Sequence, residues 1–578
     1  MLLKSVRGFS SRASRLKEDI PTLQQFMNKR SPSSPMEDEE VLPPYLTSAH
    51  LDGGGDGVYM ETYGCQMNVA DTEVVRAVLK GANYAHATAV AEAEVVLLNT
   101  CAIRENAEAK IWNRLKQIRS EKRKAAADWR KRGLASRPSG PVVGLLGCMG
   151  ERLKGKLLEE EKLVDIVCGP DAYRSLPRLI AQARAGEQAL DVALSLDETY
   201  ADVAPVRENS DGISAFVSIM RGCNNMCSYC IVPHTRGRER SRPALSIAAE
   251  VAQLVQDGFA EITLLGQNVN SYADGSRESG HVEEAPPLRD GFSPMVPPPK
   301  ASLRFAGLLD GLAAAHPEVR FRFTSPHPKD FPDDLLEVIR DRPNACASLH
   351  IPAQSGSSQV LQSMRRGYSR DTYLALIDRV RELLPHASLS SDFISGFCGE
   401  TEADHEATLS LMQAVRFDKA FMFAYSMREK THAHRRLVDD VPEDVKSRRL
   451  QAVIETFTAG AKAANMEEIG RHHLVLVEGA SKKPRPDGTV EWMGRTDTNK
   501  RVVLEHRPLR TVGGEGATAS TAHGGAGDNP ALPLPGTYVA VRVTEALSAN
   551  TLRAEPLAMT SIRHFASAES RGHENCWQ

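Results

Sequence analysis

Long apolar runs are missing from this sequence. No stretch approaches the roughly 18 consecutive apolar residues that a bilayer-spanning helix needs, and the longest apolar stretches are strand-sized, so no membrane-spanning helix is expected. Cysteine is sparse: 10 in 578 residues are too dilute for a disulfide scaffold, and their clustering reads as metal ligation in a reducing compartment. An excess of either charge is lacking too. With 71 basic and 74 acidic residues the net charge is −3, which neither announces nor excludes a polyanionic partner, because the distribution of charge decides that. The 41% apolar content suffices for several cores, about three or four domains at roughly 100–200 residues each.

Residues 1–20 carry Lys4, Arg7, Arg12, Arg15 and Lys17 before any acidic residue, with serines between them, and so resemble a mitochondrial targeting segment. An ordinary basic tail in a cytoplasmic protein is the other reading. Residues 21–56 are rich in Ser, Pro, acidic residues and Gly, a composition that reads as a disordered linker. From Val58, strand-like segments (VYMETYG, AEVVLLNT, PVVGLLG, VDIVCGPD) alternate with helical ones, as in a parallel sheet covered by helices, and this unit is taken to span 57–200.

A second alternating series over 209–460 supplies six strands: AFVSIM, EITLLGQN, RFRFTSP, ASLHIPAQ, SLSSDFISGF and KAFMFAYS. Six such units predict a partial (β/α)6 barrel, whose chemistry belongs on the loops at the C-terminal ends of the strands. Residues 273–302 and the Gly/Ala tract near 511–536 read as surface insertions. Over 465–560 the pattern turns to short strands that suit a small antiparallel barrel of RNA-binding type.

Cys223, Cys227 and Cys230 stand on one short loop directly after the first strand of the central series. Three thiolates can hold three irons of a [4Fe–4S] cluster and leave the fourth open to a ligand, whereas a structural zinc site wants a fourth Cys or His that does not lie at short spacing. This C-x3-C-x2-C loop resembles the signature of the radical S-adenosylmethionine enzymes. The resemblance implies that the open iron binds the cofactor's methionine part and that reductive cleavage yields a 5′-deoxyadenosyl radical.

Cys65 (TYGCQMN), Cys101 (LLNTCAIRENA) and Cys148 (LLGCMGE) each follow a predicted strand of the N-terminal unit, so three strand ends of one parallel sheet can bring them together. Three unrelated buried thiols is the alternative. These segments, with SIMRGCNNMCSYCIVPHTRGRERSR, HIPAQSGSSQVLQSMRRGYSR and WMGRTDTN, resemble the methylthiotransferases, in the MiaB-type branch that modifies isopentenylated tRNA.

That resemblance implies an N-terminal domain with an auxiliary [4Fe–4S] cluster on Cys65, Cys101 and Cys148, a radical S-adenosylmethionine core, and a C-terminal TRAM domain: two clusters and S-adenosylmethionine in all. The implied reaction converts N(6)-isopentenyladenosine, on the 3′ side of the anticodon, to its 2-methylthio derivative. The implied partners are the tRNA anticodon stem-loop, an electron donor and a sulfur donor. Phrases such as FAYSMREKTHAHRRL resemble mitochondrial eukaryotic members, which makes mitochondrial tRNAs the expected substrates. Competing readings are methylthiolation of threonylcarbamoyladenosine and a non-enzymatic binding protein for a kinase-regulatory protein.

Gln267, Ser325, Gln354 and Asp392 at the strand ends are candidate contacts for the cofactor, although rim side chains can equally hold loops together. Arg365 and Arg366, with Tyr368, and Arg495 and Lys500, with Arg501, are candidate RNA contacts. His327 and His350 read as structural, and Cys168, Cys346, Cys398 and Cys576 as structural or free thiols.

Overall fold

The computed structural model describes residues 42–102, 105–131, 140–154, 163–195, 197–207, 212–276, 287–294, 296–481, 491–513 and 530–570. The basic segment 1–20 lies outside the described residues. Of the segment read as a disordered linker, 21–41 also lies outside them, whereas 42–56 is ordered. Leu46 is buried, and a Cβ on Gly53 would press against the ring of Tyr84, so this stretch packs on the N-terminal unit. The few apolar and turn-forming residues it contains are enough because a finished surface already awaits them.

In the N-terminal unit, β1 (Gly57–Thr62), β2 (Ala85–His86), β3 (Val95–Thr100), β4 (Val142–Gly147), β5 (Ile166–Cys168) and β6 (Ala189–Asp191) form one sheet in the order β2-β1-β3-β4-β5-β6. Every pairing is parallel. One face packs on Val74, Val75 and Leu79 of the helix Gln66–Gly81, the other on Ile111, Leu115 and Ile118 of the helix Glu105–Lys131. Covered on both sides, the central strand β3 reads VVLLNT and is buried at every position. The edge strands β2 and β6 are too short to leave a periodic trace in the sequence. The basic stretch after Ile118 extends the second helix as far as Lys131.

The central unit opens with β7 (Ser214–Ser218), followed by the ribbon of β8 (Met220–Arg221) and β9 (Arg240–Ser241), which brackets the Cys223–Cys230 loop. After β10 (Glu261–Leu265), β11 (Ala273–Asp274) pairs antiparallel with β12 (Leu303–Arg304) and closes the base of the expected insertion. Next come β13 (Arg320–Phe323), β14 (Ser348–His350), β15 (Ser388–Ser395) and β16 (Lys419–Ala424). The strands form two parallel halves, β13-β10-β7 and β14-β15-β16, joined by a parallel bridge between Phe321 and Ala345, which makes the predicted partial barrel. One continuous apolar core fills it.

The C-terminal unit is a closed barrel of β17 (His472–Ala480), β18 (Trp492–Thr496), β19 (Arg501–Leu504), β20 (Tyr538–Ser548) and β21 (Thr551–Met559), in the order β17-β18-β19-β21-β20. The antiparallel expectation needs one correction: β19 and β21 run parallel. A ring of five strands cannot alternate direction all the way round, so one pair has to run the same way. The unit also continues past residue 560, because Ile562 and Ala568 of the helix Ile562–Ser570 are buried among barrel residues. No described helix is long and apolar enough to cross a membrane.

Candidate iron–sulfur and cofactor site

The three N-terminal cysteines lie at the C-terminal ends of adjacent strands. Cys65 follows β1 as the N-cap of the helix Gln66–Gly81, Cys101 follows β3, and Cys148 begins a short helix directly after β4. Glycines let these loops close on one another. At Gly64, with φ +135°, a Cβ would lie 2.7 Å from the Cβ of Cys101; at Gly147, with φ +85°, it would lie 2.7 Å from the carbonyl oxygen of Thr100. A buried amide pair fixes the floor: Asn68 Nδ2 donates to the Thr100 carbonyl at 3.1 Å and Asn99 Nδ2 to the Asn68 carbonyl at 2.9 Å.

The second trio is placed by the loop between β8 and β9. Gly222 adopts φ +78°, and a Cβ there would come within 1.9 Å of the Arg238 carbonyl oxygen, so only glycine lets Cys223 follow the strand in this way. The Gly222 N–H donates to Gln267 Oε1 at 2.5 Å. Ser228, between Cys227 and Cys230, donates from its backbone N–H to the Met364 carbonyl and from its hydroxyl to that of Ser363. Burial pushes the Cys230 thiol up to about 12, and raises Cys223 and Cys148 as well. Cys148 is buried and Cys223 and Cys230 are partly buried, and a metal that binds such thiols as thiolates supplies the charge that desolvation disfavours.

The two trios meet at the interface of their domains. Ile231, next to Cys230, packs with Cys148 and Ala102 in one buried cluster. Arg236, six residues after Cys230, donates from Nε to Cys148 Sγ at 3.1 Å and pairs through Nη2 with the fully buried Asp71 at 2.7 Å. Arg221 pairs with the other oxygen of Asp71 at 2.9 Å. Burial works against the charge of Asp71, but Arg236 and Arg221 outweigh it and hold the carboxyl below its usual range. Nothing in the sequence singles out Arg236, although it stands in the PHTRGR run directly after the motif.

Both cysteine sets fit iron–sulfur clusters by the chemistry of their surroundings. Among the described residues no three His, Cys, Asp or Glu side chains gather around one point closely enough to hold a single ion. Arg236 keeps Nη1 buried with no hydrogen-bond partner among the described residues, an orphan donor beside Cys148. Arg366 is buried, donates from Nη1 to Cys227 Sγ at 3.2 Å and to the Pro352 carbonyl from Nη2 at 3.1 Å, and makes no carboxylate ion pair among the described residues. A buried cation without a counter-charge is costly, and an anionic thiolate cluster against Cys227 would offset it.

Of the candidate cofactor contacts, Gln267, Ser325 and Gln354 follow the C-terminal ends of β10, β13 and β14. Ser325 and Gln354 adopt φ +60° and +70°, the left-handed region that non-glycine residues seldom occupy and that concentrates at functional sites. The Ser325 carbonyl accepts from Val269 N, and the Gln354 N–H donates to the Asp392 carbonyl at 2.9 Å. Asp392 lies within β15 rather than at its end, with Oδ2 3.4 Å from His350 Nε2. Glu239, which carries no motif in the sequence, accepts from Asn268 Nδ2 at 2.9 Å and from the Asn224 N–H at 3.1 Å, and burial raises its pKa. His327 is buried and held neutral by that burial, as a structural residue would be.

The expected RNA contacts part company. Arg366 faces Cys227, not the surface. Arg495 pairs with Glu478 and, at 3.0 Å, with Glu261 of the central barrel; Lys500 pairs with Asp418 at 2.6 Å. Both therefore spend their charge between domains, which a count of basic residues in a strand cannot foresee. Arg365 stays half-buried with φ +58°, near Arg435, His432 and Arg436.

Comparison with known proteins agrees with this layout. Residues 57–169 match the model described as Uncharacterized protein family UPF0004, and residues 217–412 match the Radical SAM superfamily. The mouse protein named Mitochondrial tRNA methylthiotransferase CDK5RAP1 is 50% identical over 94% of this chain and 88% of its own. The tRNA-2-methylthio-N(6)-dimethylallyladenosine synthase of Chloroherpeton thalassium is 48% identical over 77% and 90%. Among solved structures, the radical S-adenosylmethionine methyltransferase TsrM of Kitasatospora setae gives a TM-score of 0.44 at 12% identity, over 75% of this chain and 80% of that one. With half its residues identical to those of the mouse protein over nearly its full length, and with the cysteines of both motifs at the ends of the strands expected to carry them, the protein belongs to the radical S-adenosylmethionine methylthiotransferase family.

Proposed function

We propose that the protein is a radical S-adenosylmethionine tRNA methylthiotransferase that converts N(6)-isopentenyladenosine next to the anticodon to its 2-methylthio derivative. The observation that carries the reading is the meeting of two cysteine trios across one domain interface, bridged by Arg236 between Cys148 and the segment that follows Cys230. Relatives named for this reaction support the choice of substrate over threonylcarbamoyladenosine.

On this reading Cys223, Cys227 and Cys230 hold a cluster that, when bound with S-adenosylmethionine, supplies a radical strong enough to activate an aromatic C–H bond. Cys65, Cys101 and Cys148 hold a second cluster at which the sulfur is carried. The chain's own part is to keep both trios under buried loops, to seat the cofactor on the rim by Gln267, Ser325, Gln354 and Asp392, and to exclude water from the space between. The reaction further requires an electron donor and a sulfur donor. The mitochondrial relatives support action on mitochondrial tRNAs. No observation favours the kinase-regulatory protein as a partner.

For tRNA we favour a surface beside the radical loop. The Ala433 N–H of the helix His432–Arg436 donates to the Ser228 carbonyl at 2.7 Å, so this helix is tied to the loop itself. Arg365, Arg435 and Arg436 make no carboxylate ion pair among the described residues. Burial, then Arg436 and Arg365, lower the pKa of Arg435, the mark of crowded like charge. Such a patch suits the phosphates of an anticodon loop, from which a base leaves its stack more easily than from a duplex.

The test is anaerobic reconstitution with iron and sulfide, incubation with isopentenylated tRNA, S-adenosylmethionine and reductant, and mass spectrometry of the digested nucleosides. The 2-methylthio nucleoside is expected. Cleavage of the cofactor with an unchanged base would overturn the substrate assignment.

A further inference from the structure

Each cysteine trio has one buried arginine on one of its sulfurs. Arg236 Nε lies 3.1 Å from Cys148 Sγ, and Arg366 Nη1 lies 3.2 Å from Cys227 Sγ. Both guanidiniums are buried, at 2% and 6% exposure, so solvent does not screen them. Their orientation is fixed from behind. Arg236 is held by Asp71, which Arg221 shares; Arg366 is held by the Tyr368 hydroxyl at 3.0 Å and the Pro352 carbonyl. Neither position reads as a cluster ligand in the sequence.

We propose that Arg236 and Arg366 are positioning residues that set the reduction potentials of the two clusters, each by a charge-assisted hydrogen bond to one ligand sulfur. This rests on the two-cluster reading above. Adding an electron makes a thiolate-ligated cluster more negative, so a fixed cation and N–H donor on a ligand sulfur stabilise the reduced form and raise its potential. Arg366 acts on the cluster that must deliver an electron to the cofactor, and makes its reduction attainable. Arg236 acts on the auxiliary cluster. Because it is carried by the segment after Cys230 while Cys148 and Asp71 belong to the N-terminal unit, it also ties the auxiliary ligand to the radical loop.

The test uses the full chain, with each cluster isolated by Cys→Ala substitution of the other trio. In the Cys65→Ala, Cys101→Ala, Cys148→Ala background, Arg366→Gln is compared with Arg366; in the Cys223→Ala, Cys227→Ala, Cys230→Ala background, Arg236→Gln is compared with Arg236. Iron and sulfide are assayed and the reduced cluster is followed by electron paramagnetic resonance during a redox titration. At a fixed poise the ratio of reduced to oxidised cluster is expected to fall about tenfold with each Gln variant, which is about 59 mV for a one-electron couple. Iron content should hold, and the Lys variants should recover part of the shift. Unchanged midpoints at full iron content would overturn the proposal. If a Gln variant fails to fold, the Met variant, Arg236→Met or Arg366→Met, decides: it removes charge and donor while keeping the apolar stem, and an unchanged midpoint at full iron content would also overturn the proposal. Failure of the two-cluster reading would look different, because the Cys223→Ala, Cys227→Ala, Cys230→Ala protein would then bind no iron at all.

Discussion

Arg322 of β13 donates from Nε to Oε2 of Glu261 in β10 at 2.7 Å, while its two terminal nitrogens donate to the carbonyls of Asp497 and Thr496 in the C-terminal barrel. One guanidinium thus joins two strands of the central barrel to the domain that follows. Beside it Arg320 donates to the Arg495 and Leu474 carbonyls at 2.8 and 2.5 Å. The contact between these domains combines this buried polar network with an apolar cluster in which Ile213 and Ala260 meet Leu474, Leu476 and Tyr538.

Removing Arg322 leaves the buried Glu261 with Arg495 as its remaining ion-pair partner and takes the donor from the Thr496 and Asp497 carbonyls, so the cost should fall below the about 3–5 kcal/mol of a fully unpaired buried charge. Arg322→Ala is therefore expected to lower the thermal midpoint and to make the C-terminal barrel more susceptible to proteolysis. Cleavage between the domains, followed by gel and mass spectrometry, checks this. An unchanged cleavage pattern would contradict the docking role of Arg322.

The same network gives a pH signature. Burial raises the pKa of Glu261, but Arg322, Arg495 and Arg320 together outweigh it and leave the group below its usual 4.5. A carboxyl with a depressed folded-state pKa contributes stability that is present above the unfolded value and is lost as pH falls through the folded one. Stability should therefore decline as the pH drops below about 4.5, and Glu261→Gln should remove that part of the slope while lowering stability at neutral pH. Chemical denaturation at several pH values measures both.

The two cysteine trios should separate by function. Cys101→Ala is expected to leave cleavage of S-adenosylmethionine intact and to abolish the 2-methylthio product, with iron reduced by one cluster. Cys227→Ala should abolish cleavage itself. Equal loss of cleavage in both variants would merge what the proposal keeps apart.

Gly222→Ala tests the backbone that presents Cys223. A positive φ costs a side chain about 1–3 kcal/mol, and here the Cβ would also lie 1.9 Å from the Arg238 carbonyl oxygen. Loss of the cluster on Cys223, Cys227 and Cys230, with the auxiliary iron retained, is the expected result of an iron assay combined with spectroscopy.

Much of this was legible in the sequence because the signals are local. A cysteine directly after a run such as VVLLNT marks a strand end, and three such places in one parallel sheet must face the same edge. Asp392 misleads because its polar side chain suggests a strand end, although the segment SLSSDFISGF that contains it runs on past Ser395, where β15 stops. Arg366, Arg495 and Lys500 mislead for a different reason: basic residues look alike in sequence, and only long-range packing decides whether they meet Cys227, Glu261, Asp418 or solvent. Arg236 was invisible because its partners Asp71 and Cys148 stand in a different domain, far away along the chain.

The same division among basic residues predicts where RNA binds. Arg365, Arg435 and Arg436 make no carboxylate ion pair among the described residues, and the helix that carries Arg435 and Arg436 is tied to Ser228, whereas Lys500 is paired with Asp418 at 2.6 Å. Every phosphate that a protein no longer neutralises lowers the slope of log K against log salt, by about 0.7 for a single strand and about 0.9 for a duplex. Arg365→Gln, Arg435→Gln and Arg436→Gln combined should weaken binding of the anticodon stem-loop and reduce the slope by about two. Lys500→Gln should leave the slope unchanged and lower thermal stability instead. Fluorescence anisotropy across a salt series reads both, and a slope that falls with Lys500→Gln but not with the triple variant would move the RNA surface from the radical loop to the C-terminal barrel.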